Sequence, residues 1–546
     1  MSAGTIPARR ADAGAEPGPG GRGPGWPVHA EWTKFRTVRG WVTGVILAAL
    51  LTVLVGVFAA GSAQIACGSP GGGQHTGKAC EPRVPVGPGG EAVTDSFYFV
   101  HQPLARNGSI TARLTALTGA YAAGNQVSGN GSGPVLTPGL MPWSKAGIII
   151  KQSLRQGSAY AAMLATGRHG VRMQWDYTHD TAGRPGRVSA AAPRWLRLTR
   201  SGDTITGYDS ADGRHWALVG TAALAGLPAT VQVGLFATSP GYVQTATSFG
   251  GQHVQGGPSQ ATGVFDDVRL SGAAAGGSWA ATAVGGGGGL AAGAGGSGAG
   301  PGFRSPGGTF TLTGSGDIAP VVPGPGSGYP SATIEQSLAG AFIGLMVIVV
   351  VAAMFFTAEY RRGLIRTTLA ATPRRGAVLA AKAVVIGAVA FAAGLAASVV
   401  AVALGVPRER NEGLVVLPVP VLTEVRVIVG TAALLAVAAI FAVALGAILR
   451  RSAAAIAIGI VTVVLPFLLS ALSVLPSGAS AWLLRLTPAA GLAIQQSIPN
   501  YPQVTGAVSV AGGSYPLPPW AGFAVLCGWA AAALALALVL LRRRDA

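Results

Sequence analysis

EYRRGLIRTTLAATPRRG, residues 359–376, decides how this chain is read, because charge is scarce elsewhere and uncharged runs flank it. Before it, Ser337–Thr357 carries no charge and is ~21 residues long, enough for a helix to cross a hydrocarbon layer of ~30 Å. After it, Ala383–Gly405 does the same. Arg361, Arg362, Arg366, Arg374 and Arg375 lie between the two runs, and the positive-inside rule puts such a loop on the cytoplasmic side. Helix-spaced pairs within it (Leu364 with Thr368, Ile365 with Leu369) and Thr372-Pro373 as a cap and first-turn proline predict a helix, a break and a second helix. The residues alone leave two readings: a docking surface for a partner, or a topology signal lying on anionic lipid, worth ~1 kcal/mol per arginine.

Composition fixes the class. The chain has 546 residues, only 11% of them charged, with a mean hydropathy of +0.48, too apolar for an ordinary soluble protein. A formal charge of +18 would suggest nucleic acid in a soluble chain, but here the basic residues cluster at the ends of apolar runs without interleaved aromatics, so no nucleic-acid partner is expected. The expected fold class is mixed and multidomain: a polytopic α-helical membrane domain of about six spans plus an all-β sandwich ectodomain.

In chain order, residues 1–30 are rich in Gly, Pro, Ala and Arg, and are expected to be a disordered cytoplasmic tail. Residues 31–66 hold the amphipathic segment EWTKFRTVR and a first span, Trp41–Ile65, whose ~25-residue length favours an uncleaved anchor over a signal peptide. Residues 67–320 turn polar, with Gly, Thr and Ser and short alternating runs. Expected strands are Lys145–Ile150, Trp195–Arg200, Thr204–Tyr208, His215–Val219, Val231–Ala237 and Val264–Leu270, with Thr309–Thr313 returning after a Gly-rich insertion at 283–308. Residues 321–333 form a tether, and 334–546 hold the five remaining spans. Two of these, Val427–Leu449 and Ser452–Leu475, are separated only by Arg450-Arg451, expected as a tight cytoplasmic turn because two arginines inside the bilayer would cost ~5–7 kcal/mol. Pro407–Arg426 is expected as a short external loop, Trp482–Ile498 is too short to cross, and Trp520–Leu541 is the last span, with Arg542–Arg544 holding the C-terminus inside. The chain is thus expected in the plasma membrane, multi-pass, with both termini cytoplasmic and the β-domain extracellular.

The helix-break-helix at 359–376, entered through Glu359-Tyr360-Arg361 and running on as Arg366-Thr367-Thr368-Leu369, resembles the first cytoplasmic loop of ABC-2-type transporter permeases. EWTKFRTVR resembles the interfacial helix of actinobacterial members, and Trp482–Ile498 resembles their re-entrant outer helices. The resemblance implies a coupling helix that docks on a separate ATP-binding cassette ATPase through Glu359, Tyr360, Arg361, Arg362, Arg366, Thr367, Thr368, Arg374 and Arg375. It also implies a permease homo- or heterodimer, with no cofactor in this chain, ATP and magnesium being held by the partner. The β-region resembles concanavalin A-like or laminin-G-like sandwiches, which implies glycan or surface-polymer recognition. The alternative function is therefore a membrane-anchored protein that binds cell-wall glycan without transport.

Other candidates are weaker. GGQHTGKA, Gly72–Ala79, lacks the Ser or Thr that would hold magnesium in a P-loop. A hydrolase would need paired carboxyls, yet no glutamate occurs between Glu91 and Glu335, and Asp266 and Asp267 are adjacent and expected on opposite faces of a strand. Asp209 and Asp212 are explained by turn chemistry rather than by a metal, and the seven histidines show no metal-ligand spacing. Trp175 and Trp216 are candidates for sugar stacking, although large aromatics, here with Tyr177, Trp195 and Tyr208, more often build a core. Cys67 and Cys80 flank a short loop beyond the first span, where a disulfide would persist, and Cys527 is a packing residue. Lys382 is expected to snorkel from a helix end, which leaves the spans without a mid-depth ionisable group and points to an energy source outside the bilayer.

Overall fold

The computed structural model of the protein describes residues 26–62, 66–68, 74–77, 82–127, 134–248, 251–273, 278–285, 302–323, 329–361, 363, 375–472, 474–504 and 510–543. Among the described residues, six helices are long and apolar enough to cross a membrane. Helix α1 (Trp26–Thr37) stops at Val38, whose extended backbone (ψ 98°) turns the chain into α2 (Arg39–Ala60). There follow α3 (Ala341–Arg361), α4 (Arg375–Asn411), α5 (Val421–Leu449), α6 (Ser452–Ala471), the short α7 (Ser477–Leu486) and α8 (Pro519–Arg543).

Helix α5 is the axis of the bundle, since its Leu434, Leu435, Ala438, Ala439, Phe441 and Ala442 are buried almost completely. Small residues let its neighbours close in. A Cβ on Gly340 would stand 2.0 Å from the Thr52 carbonyl oxygen, so α2 crosses the start of α3 at backbone contact. The chain does not leave helix at Pro407 as expected. Helix α4 runs through that proline to Asn411, which costs one hydrogen bond but buries Glu409, and only Glu412–Pro420 forms the connection. The segment too short to cross is α7 followed by the 3₁₀ stretch Pro488–Gln495, every residue of which is buried.

Between α2 and α3 lies one large antiparallel sheet rather than two separate ones. Its organiser is β1 (Phe97–Val127), which no local alternation marks as a single strand. The main path continues through β2 (Lys145–Lys151), β3 (Tyr160–Thr166), β4 (Val171–Trp175), β5 (His179–Ala182), β6 (Arg194–Ser201), β7 (Thr204–Ser210), β8 (Ala217–Ala223) and β9 (Val231–Thr238). Their spatial order is β8-β7-β6-β1-β9-β2-β3-β4-β5. Strands β10 (Ser259–Ala273), β11 (Ala280–Val284) and β12 (Phe310–Gly314) branch from it: β10 and β11 pair with β1, and β12 pairs with β10. The sheet curls until β7 lies over β3, close enough that a Cβ on Gly207 would meet the Met163 and Met173 sulfurs at 2.6 and 2.8 Å. The result is a nearly closed, barrel-like sheet around Ile148, Ile150, Met163, Leu196, Leu198 and Val233.

Most expected strands are present with longer bounds. Strand β8 begins at Ala217, not His215, because Asp212 holds the backbone N–H groups of Arg214 and His215 in the preceding turn. The expected Gly-rich insertion 283–308 carries structure at both ends, β11 running into it to Val284 and Gly302–Arg304 forming a short strand inside it, and residues 286–301 lie outside those described. Residues 1–25 and the loop at Cys80 also lie outside. Cys67 falls in the short strand Ala66–Gly68, and the expected Cys67–Cys80 bridge is therefore outside the described residues. Just before the expected tether Ile318–Pro320 pairs with Val93–Asp95, and within it Ser331–Ala332 runs parallel to Val415–Val416.

Candidate coupling site

Helix α3 ends at Arg361 and α4 starts at Arg375, so the expected docking loop is the connector between them. Arg362, Arg366, Thr367, Thr368 and Arg374 lie outside the described residues. What is described are the two stems of the connector, which α1, the α5–α6 turn and the end of α8 grip.

The first grip is ionic. Glu359, in the last turn of α3, is 6% exposed and turns inward, away from any docking surface. Its Oε1 accepts from Lys382 Nζ of α4 at 2.8 Å and from Lys34 Nζ of α1 at 3.1 Å. Glu31 of α1 completes a quartet, its Oε2 accepting from Lys382 at 2.6 Å and its Oε1 from Lys34 at 2.8 Å. Lys382 is fully buried, so the expected snorkelling does not occur. It crosses the Phe355 ring at 4.7 Å from the centroid and meets both carboxylates instead. Two ammonium and two carboxylate groups cancel, which is the condition under which charges tolerate burial. Burial alone would lower the Lys34 pKa, but the hydrogen bond to Glu31 and the charge of Glu359 raise it above its ordinary value. Around the quartet Phe35 and Trp41 pack edge-on against Phe355, at 5.8 and 4.9 Å between centroids.

The other grips are at Tyr360 and Arg375. Arg450, the left-handed C-cap of α5 (φ 57°), lays its guanidinium over the Tyr360 ring at 5.2 Å, while α6 begins at Ser452. The expected tight turn is thus present, and it leans on the connector. Arg375 Nη1 donates to the Leu541 carbonyl at 2.7 Å, tying the start of α4 to the last turn of α8.

At the far end of the helices the sheet is fastened as well. Gln503 Nε2 donates to the Tyr177 carbonyl at 3.2 Å, and Tyr177 donates to Asp95 Oδ2 at 2.8 Å, which also receives Lys151 Nζ at 2.7 Å. Burial pushes the Lys151 pKa down and that of Tyr177 well up, so the phenol stays a donor.

The sugar-stacking candidates are not brought together as an open face. Trp175 stacks on His179 at 4.9 Å and 10°, and Trp216 lies under the Arg197 guanidinium at 3.8 Å, so one face of each ring is already covered. Asp266 and Asp267 do not alternate across a strand as expected. Asp267 sits at a bulge with φ 50°, and both carboxylates turn to Arg113, Asp266 in a two-pronged pair at 2.6 and 2.5 Å and Asp267 at 3.8 Å. Asp212 caps its turn, as turn chemistry requires, but Asp209 does not: it is buried on β7 and accepts from the backbone N–H of Arg184, 25 positions away.

The sequence model of ABC-2 family transporter proteins matches residues 153–546, which takes in the connector, both of its stems and α3 to α8. The chain belongs to the ABC-2 transporter family. It is a multi-pass membrane permease of that family, and the match begins inside the β-sheet domain, so Glu31 and Lys34 lie outside the matched part while Glu359 and Lys382 lie within it. No curated protein matches the chain. Among solved structures, a GH43 protein, BlXynB, from Bacillus licheniformis is 15% identical over 31% of this chain and 28% of its own, with a TM-score of 0.18. A functionally unknown protein from Saccharomyces cerevisiae is 16% identical over 37% of this chain and 83% of its own, with a TM-score of 0.20. Scytalido-glutamic peptidase is 7% identical over 40% of this chain and 98% of its own, with a TM-score of 0.23. The match thus spans under a third of the GH43 protein. Likenesses this low carry no conclusion about the ABC-2 chain's sheet domain, concanavalin A-like or otherwise.

Proposed function

We propose that this chain is the permease subunit of an ATP-driven exporter, and that a separate ATP-binding cassette ATPase docks on the arginine-bearing connector 362–374. The connector faces the cytoplasm in this reading and the sheet domain lies outside the cell. Two permease copies, alike or different, form the path, and ATP and magnesium belong to the ATPase.

The observation that carries the reading is the convergence of α1, α8 and the α5–α6 turn on the connector's two stems. A displaced connector cannot move without them, because the quartet, the Tyr360–Arg450 contact and the Arg375–Leu541 bond bind it to each. A topology signal alone would need the arginines but not this anchoring. Glu359 and Arg375 serve as anchors, which leaves Arg361, Arg362, Arg366 and Arg374 as the docking charges.

Co-purification tests it. Reversing charge together at Arg361, Arg362 and Arg366 is expected to release the ATPase subunit while membrane insertion and the melting temperature stay as in the unmodified protein. An ATPase that stays bound to the triple variant, or that never accompanies the unmodified chain, overturns the assignment.

A further inference from the structure

On the sheet-domain side of the bundle a cavity of about 410 Å³ opens between the end of α2, the 3₁₀ turn Ile334–Leu338, the end of α4 and the buried stretch Pro488–Gln495. Leu338, Phe342, Phe467, Leu492 and Tyr515 give it apolar and aromatic walls. Against these walls stand two carboxylates, Glu335 and Glu409. Glu409 is 1% exposed; its Oε1 accepts from Ser337 Oγ at 2.9 Å, and its Oε2 has no hydrogen-bond partner. Glu335 Oε1 receives a long bond from the Ser497 N–H at 3.4 Å, and among the described residues its Oε2 is also without a partner.

Among the described residues neither carboxylate forms an ion pair. Arg426 spends its guanidinium on the Ile494 and Gln496 carbonyls, at 3.1 and 2.7 Å. The bundle thus pairs each charge of the buried quartet at its other end with an opposite one, yet here leaves two carboxylates lining a cavity with no ion pair among the described residues. A buried acceptor without a donor is unfavourable by ~1–3 kcal/mol, more when charged, so the arrangement calls for a donor from outside the chain.

We propose that this cavity binds an organic ammonium compound, with its N–H groups donating to Glu335 and Glu409 and its apolar body lying against Phe342, Phe467 and Leu492. The volume falls within the ~300–1,000 Å³ of small-molecule sites. A divalent metal fits poorly: calcium takes about 6–8 oxygen ligands, and among the described residues no group of three acidic, histidine or cysteine side chains exists. A bare monovalent ion would leave the aromatic walls unused. The binding claim stands apart from the transport reading, since it concerns the permease alone.

The test uses the full chain in lipid nanodiscs, with radiolabelled 4-phenylbutylamine as the probe and 4-phenylbutanol as its uncharged counterpart. The amine is expected to bind saturably, and Glu409→Gln and Glu335→Gln are each expected to weaken it about tenfold, as loss of a charge-assisted hydrogen bond would. Ala339→Trp, a bulky change at an exposed position lining the cavity, is expected to abolish binding with both carboxylates intact, and it decides the case if a glutamate variant fails to fold. Equal binding of amine and alcohol, indifference to the variants, or displacement of the amine by an equal concentration of sodium each overturns the proposal.

Discussion

Removing the Lys382 ammonium leaves Glu31 and Glu359 facing each other in a buried site with only the half-exposed Lys34 to offset them. Lys382→Ala is therefore expected to destabilise the bundle by about 3–5 kcal/mol, read as a lower melting temperature in detergent. Neutralising the three buried members, with Lys382→Met added to Glu31→Gln and Glu359→Gln while half-exposed Lys34 keeps its charge, is expected to restore most of the loss; no restoration would mean that packing and not charge is at stake. A second expectation concerns pH. In the sheet domain's exposed turn, Asp212 Oδ2 meets His215 Nδ1 at 2.6 Å, which raises the imidazole pKa above 6.5 and depresses that of the carboxyl. The imidazole's share of the pair's stabilisation is full below pH 6.5 and fades as pH rises through the raised folded value. The carboxyl's share is present above its ordinary range and fades as pH falls through the depressed one. An NMR titration should find His215 above 6.5 and back near it in Asp212→Asn; a normal value in the unmodified protein would refute the pair. Of these residues the turn was legible in the sequence, because Asp-Gly chemistry is local. The quartet was not: Glu31 and Lys382 are 351 positions apart, and a lysine near the end of an apolar run reads as a snorkelling side chain until a buried partner is in view.

The elements that were legible are those fixed by local chemistry. Uncharged runs predict the long helices, and Arg450-Arg451 predicts the turn between α5 and α6, as the structure has it. That turn carries its own test. Arg450 holds φ at 57°, where a β-branched side chain is unfavourable by ~1–2 kcal/mol, so Arg450→Val should lower stability while Arg450→Gly should keep the turn. Both lose the contact with Tyr360, so equal stability of the two variants would mean that backbone strain at this position is negligible. Strand β1 was not legible. Its pattern breaks where Gly108 and Gly119 let other strands close in, a Cβ on Gly108 standing 2.4 Å from the Ser271 carbonyl oxygen. Its partners also change along its length, from β9 and β11 to β6 and β10, so no single alternation runs through it. The all-β character of the domain was legible but its barrel-like closure was not: short strands and their turns can be read locally, whereas the curl that joins them is a property of long-range pairing.

For the molecule as a whole, the sheet domain and the helices are separate cores joined by specific fastenings, and each can be tested. A soluble fragment of the sheet domain is expected to melt cooperatively if it runs to Val321. Ending it at Asp317 removes the pairing of Ile318–Pro320 with Val93–Asp95 and the Ile318 carbonyl that accepts from buried Lys145 at 2.7 Å, and should lower the melting temperature by several degrees. Equal melting of the two would show that these residues belong to the tether. The central claim is that motion imposed at the connector reaches the rest of the chain through its anchored stems. The most direct measurement places spin labels at Arg36→Cys on α1 and Arg214→Cys on the sheet domain, both exposed, with the native cysteines replaced by alanine. The complex with its ATPase subunit is then compared by pulsed electron resonance with and without ATP trapped in the transition state. The account predicts a nucleotide-dependent shift in the distance distribution that is lost when Arg361, Arg362 and Arg366 are reversed together; an unchanged distribution while the bound ATPase turns over would contradict it.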